Sequence, residues 1–156
     1  IIEAIGNVDE LNAFLGYLAN YLKPNHKKII QNIQNDLFDV GADLATPLSR
    51  KTNTIRLNNT QTIYLEKEID KINSKLKPLT SFILPGGSKV SGLLHLARTI
   101  NRRCEVSIVR LSENKKIKTN IITIINTHFI TFDNNNFSIF QLYLLYCMLF
   151  DYLKSF

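Results

Sequence analysis

The chain has 156 residues, of which 45% are hydrophobic and 21% charged, with a formal net charge of +6. That length fits one domain, 1–156, and the composition excludes a disordered chain. The basic balance suits an anionic partner such as a nucleotide, a nucleic acid or an acidic membrane surface, yet it is equally the mark of soluble Lys-rich helices.

The hydrophobic period is helical almost throughout. The first predicted helix runs from about Val8 to Leu22, with Val8, Leu11, Leu15, Leu18 and Leu22 as its stripe. Asn7 is its expected N-cap, and Glu10, three residues on, makes a variant of the capping box. Lys23-Pro24-Asn25 closes it. The second runs from about His26 to Ala45, carried by Ile29, Ile30, Ile33, Leu37, Val40 and Leu44. Gly41 inside that stripe weakens the helix by about 1 kcal/mol against Ala, and the expected return is close approach of another helix. Thr46-Pro47 ends it.

A polar loop, Thr46–Thr60, leads to a third helix over about Gln61 to Lys77, with Ile63, Ile69, Ile72 and Leu76 inward and Pro78 as its stop. Pro85-Gly86-Gly87-Ser88 then breaks the chain. A fourth helix starts near Ser88 and reaches about Leu111. A fifth covers about Ile117 to Ile130, although Ile121, Ile122, Ile124 and Ile125 would also suit a strand. Asp133-Asn134-Asn135-Asn136 reads as a turn, and a last apolar helix runs from Phe137 to about Leu153. Within it, Phe137–Phe150 is too short to span a bilayer and holds Ser138 and Gln141, so a soluble, cytoplasmic protein is expected. Long helices joined by short loops, without repeat or linker, give an all-α antiparallel bundle.

The two cysteines, Cys104 and Cys147, lie in apolar helical runs and form no CxxC or Cys/His spacing. A thiolate metal site is therefore not expected, and buried free thiols suit a reducing compartment. A disulfide between the two stays open at this stage.

Charge is most informative on the fourth helix. At about 100° per residue, Val90, Leu93, Leu94, Ala97, Cys104, Ile108 and Leu111 share an apolar face. Arg98, Arg102 and Glu105 form a stripe beside it, at separations that place them within a turn of each other. Converging guanidinium groups repel unless an anion joins them, and phosphate oxygens match their fork. A neighbouring carboxylate can hold Mg²⁺, which bridges phosphates. The same spacing also describes a solvated salt-bridge patch. Asp9 and Glu10 complement the dipole of the first helix, which accounts for them without any active site. His95 lies near the stripe and is given no role. Gly86-Gly87 lacks the Gly-Lys-Ser/Thr of a phosphate loop and serves a turn.

Taken in order, Asn7-Val8-Asp9-Glu10-Leu11-Asn12-Ala13, Leu37–Ala45 (LFDVGADLA), Phe82–Ser88 (FILPGGS) and His95-Leu96-Ala97-Arg98-Thr99 with Arg102-Arg103-Cys104-Glu105 resemble the PduO-type ATP:cob(I)alamin adenosyltransferases. The resemblance implies a five-helix bundle, a homotrimer with sites between subunits, and transfer of the 5′-deoxyadenosyl group of ATP to a reduced corrinoid with Mg²⁺ assisting and triphosphate leaving. It implies that Arg98 pairs with Asp9 across subunits and that Arg102 contacts the phosphates. Glu105 would lie on the nucleotide and metal side, Phe82 would face the corrin, and Asn126 would bind the nucleotide. Arg103, on another side of an ideal helix, is a weaker candidate.

The family's Thr/Gly/Asp-rich N-terminal nucleotide loop is absent from this sequence. Its Tyr-Leu-Asn-Arg-Leu-Ser-Asp pattern is met only by Ile125-Asn126, since Thr127-His128-Phe129 does not continue it. The competing reading is a non-catalytic corrinoid- or nucleotide-binding bundle. A nucleic-acid module ranks last, because its basic residues should cluster among aromatics and here they are dispersed.

Overall fold

The structure, a computed structural model, describes residues 1–46, 57–75 and 84–134, with side chains through His128. Phe82, Cys147, Leu76 and the helix expected over Phe137–Leu153 lie outside the described residues. Those residues form five α-helices: α1 Ile2–Ala19, α2 Pro24–Ala45, α3 Asn59–Asn73, α4 Lys89–Asn114 and α5 Thr119–Asn134. The five-helix all-α fold is as expected. The isoleucine-rich stretch with strand character is helical, with Ile121, Ile124 and Ile125 buried at helical spacing.

Helix α1 starts six residues earlier than expected, at Ile2 rather than Val8. Ala4 is buried one turn before Val8 and continues the same stripe through Leu11, Leu15 and Leu18, so the apolar face extends upstream and Asn7 sits mid-helix. At the other end, the Tyr21 and Leu22 N–H groups donate to Leu18 and Ala19 carbonyls at 3.0 and 3.4 Å. These i→i+3 bonds tighten the last turn and let Leu22 pack on the core outside the helix proper.

Pro24 opens α2 at its first turn, where the missing N–H costs nothing. The close approach expected at Gly41 is absent, because a Cβ there would meet open space. It occurs at Gly16 instead, where a Cβ would come within 3.2 Å of Gln34 Nε2. At this crossing Asn12 Nδ2 donates to the Gln34 carbonyl at 3.3 Å and Gln34 Nε2 donates to the Asn12 carbonyl at 3.1 Å.

Asn58 caps α3: its Oδ1 accepts from the Thr60 N–H at 2.8 Å, and Gln61 Oε1 accepts from the Asn58 N–H at 3.3 Å. The inward face is Thr62, Leu65 and Ile69, whereas the expected Ile63 is 47% exposed. Leu65 sets the rotation, since Ile63 lies about 200° from it on the helical wheel. The helix also ends at Asn73, ahead of the proline expected to stop it.

Gly87 holds φ +93°, a conformation that suits glycine, and turns the chain into α4. Ser88 is the N-cap, accepting from the Ser91 N–H at 3.1 Å, and Ser91 Oγ donates back to the Gly86 carbonyl at 2.6 Å. Asp133 and Asn134, expected in a turn, complete α5 instead.

Helix α1 packs on both α2 and α4, α4 on α5, and α5 on α3. Lys89 at the start of α4 lies 4.1 Å over the Tyr21 ring beyond the end of α1, consistent with an antiparallel pair. Asn101 Nδ2 donates to the Ile125 carbonyl at 2.8 Å and locks α4 to α5. Leu15, Ile33, Leu37, Leu94, Ile108 and Ile124 are all within 1% of complete burial. Each such aliphatic side chain contributes about 1.5–3 kcal/mol by leaving water.

Candidate functional site

The apolar face of α4 is buried as the periodicity predicts, with Leu94, Ala97, Cys104 and Ile108 in the core. That orientation brings the adjacent stripe to the seam between α4 and α1. A cleft of about 330 Å³ opens there. Its walls carry Arg98, Arg102, Arg103 and Arg110 from α4 and Glu3 and Asn7 from α1. Four guanidinium groups and the Glu3 carboxylate line it, a surface whose basic character suits an anion.

Glu105 sits under the stripe. Its side chain is only 8% exposed, and its Oε2 accepts from Arg102 Nη1 at 2.6 Å. The bond is short and charge-assisted, and it fixes the Arg102 guanidinium at the cleft wall. The buried carboxylate in turn depends on that cation, because an unpaired charge at this depth is strongly destabilising. Arg98 and Arg102 are thus brought together in one cleft, with Glu105 behind them.

Arg103 was expected to point elsewhere. It bonds Glu10 of α1 and still lines the same cleft, because the α1–α4 seam is wide enough to receive both sides of the stripe. The pairing also gives Glu10 a role as an interhelical anchor in place of the expected cap. Asp9 is exposed on α1 and makes no ion pair among the described residues. A partner for it would have to come from outside the described residues.

Asn126 is buried in α5, and its Oδ1 has no donor among the described residues. An amide oxygen left in that state costs free energy unless a ligand or water N–H or O–H reaches it. His95, also buried, is held toward its neutral form by burial and by the nearby Arg98 cation. Burial pushes the Cys104 thiol up to about 12, so it is a core group and not a nucleophile.

Sequence reasoning missed a second set of buried polar groups along α2. Asp36 approaches the fully buried His128 at 3.8 Å. Asp43 accepts from the Leu57 N–H at 3.1 Å and from Lys118 Nζ at 3.5 Å. Asp39 lies between them on the helix, and burial with its two acidic neighbours raises its pKa. The spacing of the three aspartates on one face was the available signal, but their partners come from distant elements.

Among the described residues no group of three His, Cys, Asp or Glu side chains is arranged to hold a metal ion. Glu105 offers a single carboxylate. That suits Mg²⁺ only as a nucleotide-bound ion, with phosphate oxygens and water completing its shell. Among these residues no helix is long and apolar enough to cross a membrane.

A family model described as cobalamin adenosyltransferase matches residues 1–127. The corrinoid adenosyltransferase of Bacillus subtilis strain 168 is 38% identical over 130 residues, covering 80% of this chain and 66% of that protein. The corrinoid adenosyltransferase of Mycobacterium leprae is 42% identical over 111 residues, covering 67% of this chain and 58% of its own length. The chain therefore spans less than two thirds of these curated relatives. Among solved structures, a phenylalanine-to-alanine variant of a PduO-type ATP:corrinoid adenosyltransferase from Lactobacillus reuteri, complexed with cobalamin and ATP, superposes with a TM-score of 0.81. It is 33% identical, and the match covers 86% of this chain and 77% of that one. An arginine-to-lysine variant of the same type of enzyme, complexed with ATP, superposes at 0.79.

Proposed function

Because the chain belongs to the cobalamin adenosyltransferase family, we propose that it transfers the 5′-deoxyadenosyl group of ATP to cob(I)alamin or another reduced corrinoid. The observation that carries this reading is the cleft in which Arg98 and Arg102 converge, with Glu105 buried behind Arg102. In the reaction the cobalt(I) electron pair forms a bond to ribose C5′. The C5′–O bond breaks, and its electron pair leaves on the triphosphate. Guanidinium groups already fixed beside that oxygen stabilise the developing charge without rearranging.

Arg102 binds the phosphates, and Glu105 orients it. A nucleotide-bound Mg²⁺ would supply further neutralisation of the phosphates, and Glu105 is the carboxylate of this cleft that would face the metal side. Asn126 supplies an acceptor for the nucleoside, which its unsatisfied Oδ1 supports. Phe82 contributes an apolar surface to the corrin. Asp9 pairs with Arg98 of a neighbouring copy in a homotrimer, a reading supported by its exposure and its lack of an ion-pair partner within the described chain.

The test is anaerobic incubation with ATP, Mg²⁺ and chemically reduced cobalamin, followed in the visible spectrum for Co–C bond formation. Adenosylated product is expected. Tight binding of both substrates without product would instead identify a non-catalytic bundle.

A further inference from the structure

We infer that Arg110 is a further phosphate-binding residue of the α1–α4 cleft, one that engages the distal phosphates of a nucleoside triphosphate. The inference rests on the adenosyl-transfer reading and assigns a residue that neither the motifs nor their spacing singled out.

The argument is one of charge and length. Arg102 is held by Glu105, and Arg103 by Glu10. Arg110 lines the same cleft, and no carboxylate of the described residues lies within ion-pair distance of it. Glu3 also lines the cleft. The uncompensated positive charge of the cleft therefore includes its Arg110 end.

Arg102 and Arg110 are eight residues apart on one helix. The rise between them is about 12 Å, and they differ by only about 80° around the axis. A single phosphate would meet both guanidinium groups only if the two side chains folded toward each other along the helix axis. Three linked phosphates can meet both, once the reach of two arginine side chains is added. The spacing selects for a polyphosphate over a monophosphate, which is the discrimination a triphosphate-releasing enzyme needs against AMP.

Arg110 is exposed, so its replacement does not disturb the core. The test is calorimetric titration of the full protein and of Arg110→Gln with ATP, AMP and inorganic tripolyphosphate. The variant should bind ATP and tripolyphosphate about tenfold more weakly, the loss of one charge-assisted contact, while AMP affinity moves less than twofold. Arg110→Lys should recover part of the loss. In steady-state turnover the reduction in kcat/KM should be carried by KM. Equal weakening toward all three probes would make Arg110 part of a generic basic surface and overturn the assignment, as would no change toward ATP. If the unmodified protein formed no Co–C product, the tripolyphosphate titration would still decide Arg110. If Arg110 proved silent in an active enzyme, the transferase reading would stand without it.

Discussion

Asn12 and Gln34 hold each other's backbones: each side-chain amide donates to the other residue's main-chain carbonyl, at 3.3 and 3.1 Å. The exchange happens beside Gly16, where an added Cβ would come within 3.2 Å of Gln34 Nε2. It assigns the asparagine of the Val-Asp-Glu-Leu-Asn motif to helix packing. Asn12→Ala and Gln34→Ala should each destabilise the protein by about 1–2 kcal/mol. A double-mutant cycle by urea denaturation should return a coupling of at least about 0.5 kcal/mol. Strict additivity would mean that the two bonds do not act as a unit.

The Arg102–Glu105 pair separates charge from geometry. Arg102→Lys keeps a cation beside the buried Glu105 but loses the planar fork. Its midpoint of thermal unfolding should stay close to that of the parent, while kcat/KM for ATP falls by roughly ten- to a hundredfold. Arg102→Ala should lose stability as well, by about 3 kcal/mol or more, because Glu105 is then buried without its counter-charge. Equal activity of parent and Lys variant would remove the phosphate role from Arg102.

Asp43 joins three elements through one carboxylate oxygen, accepting from the Leu57 N–H ahead of α3 and from Lys118 ahead of α5. The expected order of destabilisation is Asp43→Ala, then Asp43→Asn, then Lys118→Ala. The first leaves a buried N–H without an acceptor, at about 1–3 kcal/mol. The second retains an acceptor oxygen. The third removes a long ion pair from a buried carboxylate that keeps the Leu57 N–H as donor, so its loss is expected to be the smallest of the three. Chemical denaturation of the three variants checks the order.

Stability should fall on mild acidification. His128 is fully buried, and burial lowers its pKa against the opposing pull of Asp36; His95 shifts down too, through burial and Arg98. The unfolded chain therefore binds more protons than the native one once pH drops below the ordinary imidazole value of about 6.5. The contribution from neutral burial is complete above that value and is lost progressively below it. Urea midpoints from about pH 7.5 down to 5.5 should decline, and His128→Gln should flatten the decline to the part left by His95. A midpoint that rises on acidification would mean that Asp36 and His128 form an ion pair in the native state.

Helical periodicity made the bundle legible, because long apolar stripes survive errors at their ends. What it could not supply was rotation and register. Ile63 and Leu65 are equally apolar, and only packing decides which faces inward. Gly41 and Gly16 are alike in sequence, and only the crossing point of two helices distinguishes them. In the site, Arg102 and Glu105 were readable together because three residues separate them on one helix. The Glu10–Arg103 bond and the Asp36–His128 contact join distant elements, so neither existed until α1 met α4 and α2 met α5.

Helix α4 is clamped on one flank by α1 and on the other by α5, with Cys104 and Ile108 sealed between them. The backbone beneath the guanidinium row therefore has little freedom to recoil when an anion arrives. Most of the entropy of arranging those donors was lost when the chain folded, and little remains to be lost on ligand capture. Loosening α4 anywhere along its buried face should thus weaken binding at a distance, through a softer platform and with every contact residue still in place.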